Sequence, residues 1–289
     1  MIRQSGYFHS MICFINSEFI PFTEAKLPVN DLGLQRGYGI FDFLRVTEHV
    51  PLFIDDHLER FYRSAEIMRL TIPHEMPALK KIIAELLQKN NLVHAGIKIL
   101  LTGGASKDGY SIGEPNLVII QQPLTAPPDT ILQPGYKLVT YPHRRQMPEV
   151  KTTDYLLAIH LQPWLKEKGG DDILYHQDGI ISECPRSNFF IVTQNNTLVT
   201  PGQHVLKGIT RKQLLTIASN MGIAVEERDV SLEELKTAKE AFITSSTRRL
   251  LPVRQIEDLV LPDFTETSFT ARLYAAFKEW ELSAIHGQG

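Results

Sequence analysis

Residues 183–190 of this 289-residue chain read Glu-Cys-Pro-Arg-Ser-Asn-Phe-Phe. A carboxylate begins the run, a proline-containing turn follows it, and the run ends in apolar residues typical of a buried strand. Upstream, residues 151–155 read Lys-Thr-Thr-Asp-Tyr, where a lysine precedes an amphipathic run typical of a helix. Either charge alone would most often be a solvated surface group. Together, in this order and context, the two segments indicate a pair of catalytic groups.

A lysine and a carboxylate in such segments suit one cofactor in particular. The lysine amine can form a Schiff base with pyridoxal 5'-phosphate, and the carboxylate can keep the pyridine nitrogen protonated, which makes the ring an electron sink. We therefore predict that Lys151 binds this cofactor covalently and that Glu183 pairs with its ring nitrogen.

The composition is that of an ordinary globular protein, with 43% hydrophobic and 22% charged residues and a net charge of −3. No basic stripe invites nucleic acid or anionic lipid, so we expect a small-molecule partner, with no nucleic acid and no membrane. No apolar run approaches the length of a signal peptide core or a membrane span. Cys13 and Cys184 are too few for a disulfide framework and lack zinc-site spacing, which favours a reducing cytoplasm. The ten histidines lack ligand spacing, so no metal is expected.

The order of extended and helical patterns predicts a two-domain α/β fold of the α+β type. Residues 1–122 form the predicted N-terminal α/β domain, and the proline-rich stretch 123–130 is the predicted linker. Residues 131–289 form the predicted C-terminal, cofactor-binding domain. In that domain, strands alternate with helices that we expect to begin near Tyr155, Thr210 and Leu232, before a last helix that carries Phe269, Leu273, Ala276 and Trp280.

Two segments of the second half offer donors to a phosphate. Gly208-Ile209-Thr210 opens a helical pattern, and unpaired amides at a helix start bind anions. Thr210 is either a simple N-cap or a phosphate ligand. Ser245-Ser246-Thr247 follows an apolar strand and supplies a cluster of hydroxyls. Such a turn usually has no further role, but its occurrence with a lysine and a glutamate favours phosphate binding.

These segments together resemble the class IV aminotransferases, the fold-type IV pyridoxal phosphate enzymes. The family includes branched-chain aminotransferase, D-amino acid aminotransferase and aminodeoxychorismate lyase. The resemblance extends from about Pro28 to Val253 and implies a cofactor in the interdomain cleft and a homodimer. The matching motifs are Asp31-Leu32-Gly33-Leu34-Gln35-Arg36-Gly37-Tyr38-Gly39-Ile40-Phe41-Asp42, His57-Leu58-Glu59-Arg60, Lys151, Glu183 with Asn188-Phe189-Phe190, Gly208-Ile209-Thr210, Ser245-Ser246-Thr247 and Pro252-Val253.

The resemblance also implies the roles of individual residues. Lys151 corresponds to the catalytic lysine, Glu183 to the acid at the ring nitrogen, Arg60 to a phosphate ligand, and Tyr155 to a tyrosine near the cofactor hydroxyl. The implied cofactor-binding residues are Arg60, Lys151, Tyr155, Glu183, Asn188, Gly208, Ile209, Thr210, Ser245, Ser246 and Thr247.

The implied activity is a ping-pong transfer of an amino group between a small, branched-chain-like amino acid and a 2-oxo acid. An aminodeoxychorismate lyase, which eliminates pyruvate, would share every cofactor residue and stays an alternative. A D-amino acid aminotransferase is less favoured, because residues 101–106 read Leu-Thr-Gly-Gly-Ala-Ser, without the arginine that those enzymes carry in this loop. A catalytically silent relative is disfavoured by the intact Lys151 and Glu183.

Five residues are candidates for the substrate pocket: Arg36, Tyr38, Arg45, Thr102 and Gly103. Arg36 and Tyr38 stand where the family often has tyrosine and aspartate. Arg36 either points to solvent or pairs with Asp31 or Asp42, or it holds the substrate carboxylate through two parallel hydrogen bonds. Arg45 is the competing candidate for that carboxylate.

Overall fold

The computed structural model describes residues 11–125 and 135–287. The chain divides into two compact units, one comprising Met1–Ala126 with Val150–Asp154 and the other Pro127–Glu149 with Tyr155–Gly289. Most of the predicted linker at 123–130 lies outside the described residues. The segment Val150–Asp154 belongs to the first unit, although the sequence analysis counted it with the second half of the chain.

The first unit is built on one antiparallel sheet. Its strands are β1 (Ile12–Ile15), β2 (Glu18–Pro21), β3 (Gly39–Thr47), β4 (Val50–Pro51), β5 (His94–Thr102) and β6 (Leu117–Pro123). Their order across the sheet is β2-β1-β6-β5-β3-β4, with antiparallel pairing between the neighbours. Side chains alternate between the two faces of a strand, so Ile40, Leu44 and Val46 of β3 are buried on one face.

Among the described residues of this unit, the α-helices are α1 (Leu32–Arg36), α2 (Ile54–Ile67) and α3 (Met76–Asn90). The apolar stripes of α2 and α3 recur at the spacing that the sequence predicts, and they join β3, β5 and β6 in one core. Phe61 of α2 and Ile83 of α3 are fully buried there. The first unit therefore has helices packed on one face of its sheet.

The second unit is built on a mixed sheet. Its strands are β7 (Tyr136–Pro142), β8 (Asp172–Gln177), β9 (Ile180–Ile181), β10 (Glu183–Cys184), β11 (Ser187–Val192), β12 (Leu198–Thr200), β13 (Val225–Glu227), β14 (Glu240–Ser245), β15 (Arg249–Ile256) and β16 (Leu259–Val260). The main order is β13-β12-β11-β14-β15-β7-β8-β9, with β10 paired to β11 and β16 to β15. Pairing is parallel between β12 and β13, β15 and β7, and β7 and β8.

The helices of the second unit are α4 (Leu156–His160), α5 (Gln162–Glu167), α6 (Ile209–Asn220) and α7 (Phe269–His286). Leu214 of α6 and Leu273 and Phe277 of α7 are buried where these two helices pack on each other and on the sheet. The mixture of sheets and helices confirms the predicted α/β class. None of the described helices is both long and apolar enough to cross a lipid bilayer.

The helix predicted from Leu232 is wrong, since that region holds only a 3-10 turn at Glu234–Thr237. Both flanks of the turn are tied to strands. Leu232 N donates to the Gly179 carbonyl, and Lys239 N donates to the Val192 carbonyl. The few residues between these two attachments are enough for one turn but not for a helix.

Candidate active site

Backbone hydrogen bonds attach the Lys151 segment to the first residues of β3. The Lys151 carbonyl accepts a 2.9 Å hydrogen bond from Phe41 N, and Thr153 N donates to the Gly39 carbonyl at 2.9 Å. Thr153 Oγ1 adds a bond to the Gly37 carbonyl. The Lys151 ammonium lies 4.6 Å from the centroid of the Phe41 ring. This cation–π contact orders the long lysine side chain beside β3.

A second ammonium group approaches the same aromatic ring. Lys98 of β5 has its Nζ 5.1 Å from the Phe41 centroid. Burial lowers the pKa of Lys98. Lys98 is not among the predicted site residues, although the sequence contains a signal for it: Lys98 is the one charged residue in the otherwise apolar run 95–101. The ammonium groups of Lys98 and of Lys151, the predicted catalytic lysine, therefore both lie at the Phe41 ring.

Arg60 belongs to a buried charged cluster in the same unit. Its Nε and Nη2 donate to the two oxygens of Asp42 at 2.9 and 2.8 Å. Asp42 Oδ1 also lies 2.7 Å from His57 Nδ1. The Arg60 side chain is 4% exposed and Asp42 is fully buried. The two-point contact with Asp42 fixes the plane of the guanidinium, so Arg60 is not a solvated surface residue.

Titration within this cluster follows from burial and from the neighbouring charges. Burial by itself would raise the pKa of Asp42, but the charges and hydrogen bonds of Arg60 and His57 bring it well below its usual range. Burial lowers the pKa of His57, Asp42 opposes that change, and the positive charges of Arg60 and Lys151 add to it. At neutral pH the cluster therefore holds an ionised Asp42, a neutral His57 and a cationic Arg60.

The two arginines considered for the substrate carboxylate lie in different surroundings. Arg36 ends α1 at the surface and donates to the carbonyls of Gly109 and Gln35. Arg45 is buried on β3. The carboxylates of Asp31 and Asp42 are both engaged by other groups, Asp31 by Thr102 Oγ1 and Asn116 Nδ2.

The other three substrate candidates meet where β5 runs into its following loop. Gly103 N donates to the Tyr38 carbonyl at 2.9 Å. Thr102 Oγ1 donates to Asp31 Oδ2 at 2.7 Å, and the Tyr38 hydroxyl donates to the Met68 carbonyl at 2.7 Å. The motif at residues 31–42 and the loop after β5 are thus packed together within the first unit.

Glu183 lies in the second unit on the short hairpin of β10 and β11, and it is buried. Its Oε1 accepts from Arg145 Nε at 2.9 Å and lies 2.8 Å from Arg145 Nη2. Its Oε2 accepts from Asn188 Nδ2 at 3.2 Å and from Leu206 N at 3.1 Å. Arg145 is not among the predicted site residues, and no local signal marks it, because residues 143–146 form a polar run without periodicity.

The two predicted phosphate elements lie close to Asn188. A Cβ built on Gly208 would stand 2.1 Å from Asn188 Oδ1, so the start of α6 touches this side chain. Asn188 also faces Thr244 across β11 and β14, directly before the turn Ser245-Ser246-Thr247. In that turn, Ser245 Oγ and Thr247 Oγ1 are 3.3 Å apart. Glu183, the start of α6 and the hydroxyl turn are therefore gathered around one asparagine.

The structure leaves donors for an anion at these elements. Within the part of the chain that the structure describes, no side chain caps α6, whose N-cap is the extended Gly208. Ile209 and Thr210, the first residues of the helix, are buried. The buried Thr244 Oγ1 has no hydrogen-bond partner among the described residues. Tyr155 is half-buried at the N-cap of α4 in the same unit.

Comparison with known families identifies the family of this chain. A family model for amino-transferase class IV matches residues 39–256. The chain belongs to this family. The match covers the strand that carries Phe41, the Lys151 segment, the Glu183 hairpin and both predicted phosphate elements, and it confirms the predicted resemblance. The protein is accordingly an enzyme of the class IV aminotransferase type.

Two relatives cover nearly the whole chain. A protein of Methanocaldococcus jannaschii, named as a candidate branched-chain-amino-acid aminotransferase, is 31% identical over 93% of this chain and 96% of its own length. The D-alanine aminotransferase of Staphylococcus epidermidis is 26% identical over 92% of this chain and 96% of its own length.

Solved structures show the same fold. The branched-chain amino acid aminotransferase of Escherichia coli superposes with a TM-score of 0.87 at 24% identity, covering 94% of this chain and 95% of that one. A candidate 4-amino-4-deoxychorismate lyase of Legionella pneumophila gives a TM-score of 0.80 at 23% identity, covering 88% and 95%. The fold is therefore common to transaminases and to a lyase-like relative.

Proposed function

We propose that this class IV aminotransferase uses pyridoxal 5'-phosphate to move an amino group between a small, branched-chain-like amino acid and a 2-oxo acid. The observation that carries the proposal is the environment of Glu183. A buried carboxylate stands in a shell of donors beside an uncapped helix start and a hydroxyl turn. This donor set suits a cofactor that has a basic ring nitrogen at one end and a phosphate at the other.

The residues of both units fit such a cofactor by their chemistry. When bound, pyridoxal 5'-phosphate supplies an electron sink for the bonds around the substrate α-carbon. Lys151 would hold it covalently and Glu183 would receive its ring nitrogen. Phosphate ligands would come from Arg60, the amides of Ile209 and Thr210 at the start of α6 after Gly208, and the hydroxyls of Ser245, Ser246 and Thr247, while Tyr155 and Asn188 would complete the set.

The chain's own residues then have separable tasks. Lys151 Nζ would accept the α-proton of the donor amino acid in one half-reaction and would supply the α-proton of the new amino acid in the other. Phe41 orders that side chain through the cation–π contact. Arg60, held by Asp42, would be a phosphate ligand by its charge, and the amides at the start of α6 would be others by their unpaired donors.

A branched-chain-like donor is supported by two observations. The Methanocaldococcus jannaschii relative, named for branched-chain amino acids, is similar over almost the full length of the chain. The loop at 101–106 lacks an arginine for a D-amino acid carboxylate. The D-alanine aminotransferase of Staphylococcus epidermidis is less similar, but it makes D-alanine the necessary comparison substrate.

The deciding experiment adds single substrates to the purified holoenzyme. L-Valine, L-leucine, D-alanine and aminodeoxychorismate are each tested without an acceptor. We expect L-valine or L-leucine to change the cofactor absorbance and to release one equivalent of 2-oxo acid per site, while Lys151→Ala shows neither. Release of pyruvate from aminodeoxychorismate, with no response to any amino acid, would instead identify a lyase.

Mapping the covalent link gives an independent test. Borohydride reduction followed by peptide analysis should place the cofactor on Lys151. Lys98 is the matched internal control, because its ammonium lies at the same Phe41 ring. A label on Lys98, or on any lysine other than Lys151, would overturn the assignment.

The proposal includes a homodimer in the cytoplasm. Leu34 and Tyr110 are 72% and 88% exposed, and a partner subunit that covered them would remove this apolar surface from water. Cys13 and Cys184 are free thiols, as is usual in a reducing compartment. Sedimentation at micromolar concentration should give twice the mass of the chain, and a monomeric mass would contradict this part of the proposal.

A further inference from the structure

Arg145 and Glu183 form a close ion pair within the second unit. Nε and Nη2 of the guanidinium both lie within 2.9 Å of Glu183 Oε1. Arg145 Nη2 also donates to the Pro148 carbonyl at 2.5 Å, which fixes the direction of the guanidinium. The arginine side chain is 21% exposed and that of Glu183 is 6% exposed. Charge-assisted hydrogen bonds in such partial burial are stronger than those at the surface.

The remaining oxygen of Glu183 is held by neutral donors. Asn188 Nδ2 and Leu206 N reach Oε2 at 3.2 and 3.1 Å, longer than the bonds from Arg145 to Oε1. The strongest partner of this carboxylate in the structure is therefore Arg145. A protonated ring nitrogen that approached Glu183 would meet a carboxylate whose charge is already shared with a guanidinium.

The other titratable groups near the pair are Tyr175, Cys184, Asp172 and His143, with Arg186 and Arg248 acting on Asp172. Burial raises the pKa of Tyr175, and the charges of Asp172 and Glu183 raise it further while Arg145 opposes them. Burial also raises the pKa of Cys184, which lies beside Asp172 and Glu183. Asp172 in turn faces Arg186 and Arg248, and the ring of His143 packs on Tyr175. Arg145 is the cation that balances Glu183 in this acidic surrounding.

We propose that Arg145 is a positioning residue that keeps Glu183 charged and oriented when the ring nitrogen is absent, and that shares the charge of Glu183 with that nitrogen when the cofactor is bound. The inference rests on the proposed function. Two consequences follow from the electrostatics. Loss of Arg145 leaves a buried carboxylate without its cation in the cofactor-free protein, whereas the ring nitrogen supplies a substitute in the holoenzyme. Loss of Arg145 also gives the ring nitrogen the undivided charge of Glu183, which favours its protonated form.

The test measures Arg145→Gln in two forms of the protein. The melting temperature of the cofactor-free protein should fall, and that of the holoenzyme should fall by less than half as much. In the holoenzyme, the pH at which the ring nitrogen loses its proton, followed by ¹⁵N NMR with labelled cofactor, should rise by about one unit. An Arg145→Gln variant that folds only when the cofactor is supplied would also support the proposal, because the loss of stability would then be confined to the cofactor-free protein.

Arg145→Lys separates charge from shape. It keeps the cation but not the Nε and Nη2 geometry, so it should stay closer to wild type than Arg145→Gln in both measurements. Arg228→Gln is the control, because this arginine pairs with Glu226 and Glu234 at the surface and should alter neither measurement.

Several outcomes would overturn the inference. These are equal losses of melting temperature in the two forms with an unmoved ring titration, or an Arg145→Lys variant that matches Arg145→Gln in both measurements. The proposed function fails separately, if wild-type protein binds no cofactor or carries it on a lysine other than Lys151. The two failures are therefore distinguishable.

Discussion

Glu183 is a buried carboxylate whose oxygens receive hydrogen bonds from three separate stretches of the second unit. Arg145, Asn188 and Leu206 supply these bonds. Because so many donors converge on one side chain, its position is fixed before any ligand arrives. Such a fixed charge is what a ring nitrogen requires of its partner.

Replacing Glu183 by glutamine tests this charge while keeping the shape. The neutral amide cannot hold the ring nitrogen protonated, so turnover should fall by at least roughly a hundredfold, about 2.7 kcal/mol in the barrier, while the cofactor stays bound. Steady-state turnover and cofactor absorbance measure the two effects. Glu226→Gln, at the surface, should behave as wild type, and near-native turnover in Glu183→Gln would contradict the assigned role.

The Arg36→Lys variant tests whether Arg36 holds the substrate carboxylate through two parallel hydrogen bonds. If it grips the substrate, Arg36→Lys should weaken binding of amino acids and 2-oxo acids alike by about 1–3 kcal/mol and leave the cofactor spectrum unchanged. Arg45→Lys is the parallel variant, because Arg45 is the competing candidate for the substrate carboxylate. Unaltered affinity for every carboxylate in Arg36→Lys would leave Arg36 as a surface residue bound to the Gly109 carbonyl.

At the scale of elements, the start of α6 and the end of β14 are brought together by β11. Asn188 lies on β11, faces Thr244 of β14 and touches Gly208 before α6. Asn188 also bonds to the Leu206 carbonyl and to Glu183. One strand thus connects the predicted ring-nitrogen partner with both predicted phosphate elements.

Gly208→Ala should disturb this junction. The backbone of Gly208 is extended at φ −64°, which alanine tolerates, so the effect comes from the added Cβ, 2.1 Å from Asn188 Oδ1. Asn188 must move, and we expect the dissociation constant of the cofactor to rise by roughly tenfold, about 1.4 kcal/mol for the lost bonds. Ser219→Ala, exposed near the other end of α6, is the control. Unchanged cofactor affinity in Gly208→Ala would show that the contact between Gly208 and Asn188 does not contribute to cofactor binding.

At the scale of the whole molecule, each unit encloses its own core together with buried charged groups, which in the first unit include Asp42, His57 and Arg60. Burial lowers the pKa of His57, so the unfolded chain binds this proton more readily than the folded chain below about pH 6.5. Stability must therefore fall as the pH drops through that range. The lowered pKa of Asp42 acts in the same direction at lower pH, since its contribution is present above its ordinary value and is lost on further acidification.

Chemical unfolding at pH 7 and pH 5 measures this dependence. Wild-type protein should lose about 1.4 kcal/mol of unfolding free energy for each pH unit over which His57 differs in protonation between the two states. His57→Gln should flatten the profile between these pH values, whereas His160→Gln, exposed on α4, should not. Parallel profiles for wild type and His57→Gln would refute the assignment to His57.

Much of the fold was accessible from local pattern. The sequence predicts a helical stripe of Leu58, Phe61, Ala65 and Met68, a second stripe of Phe269, Leu273, Ala276 and Trp280, and strands at 96–101 and 116–121. The structure has helices α2 and α7 and strands β5 and β6 there, because 3.6-residue and 2-residue periodicities report directly on backbone geometry. The helix from Leu232 failed because its two flanks are tied to neighbouring strands, a constraint that no local pattern contains. Val150–Asp154 joins the first unit through backbone hydrogen bonds to β3, which connect residues far apart in the chain and leave no local signal in the sequence.

The sequence by itself determined the α/β class, the family motifs in their order, and the residue types expected around a pyridoxal phosphate ring. The tertiary structure alone decided which charges meet: Arg145 with Glu183, Arg60 with Asp42, and Lys98 with Lys151 at one phenylalanine. The order of the motifs can be read directly from the sequence, and the periodicity of apolar residues reports on local backbone geometry. Pairing of buried charges depends instead on how the chain packs, because Arg60 on α2 and Arg145 in the loop after β7 come within hydrogen-bond distance of Asp42 and Glu183 only in the folded units.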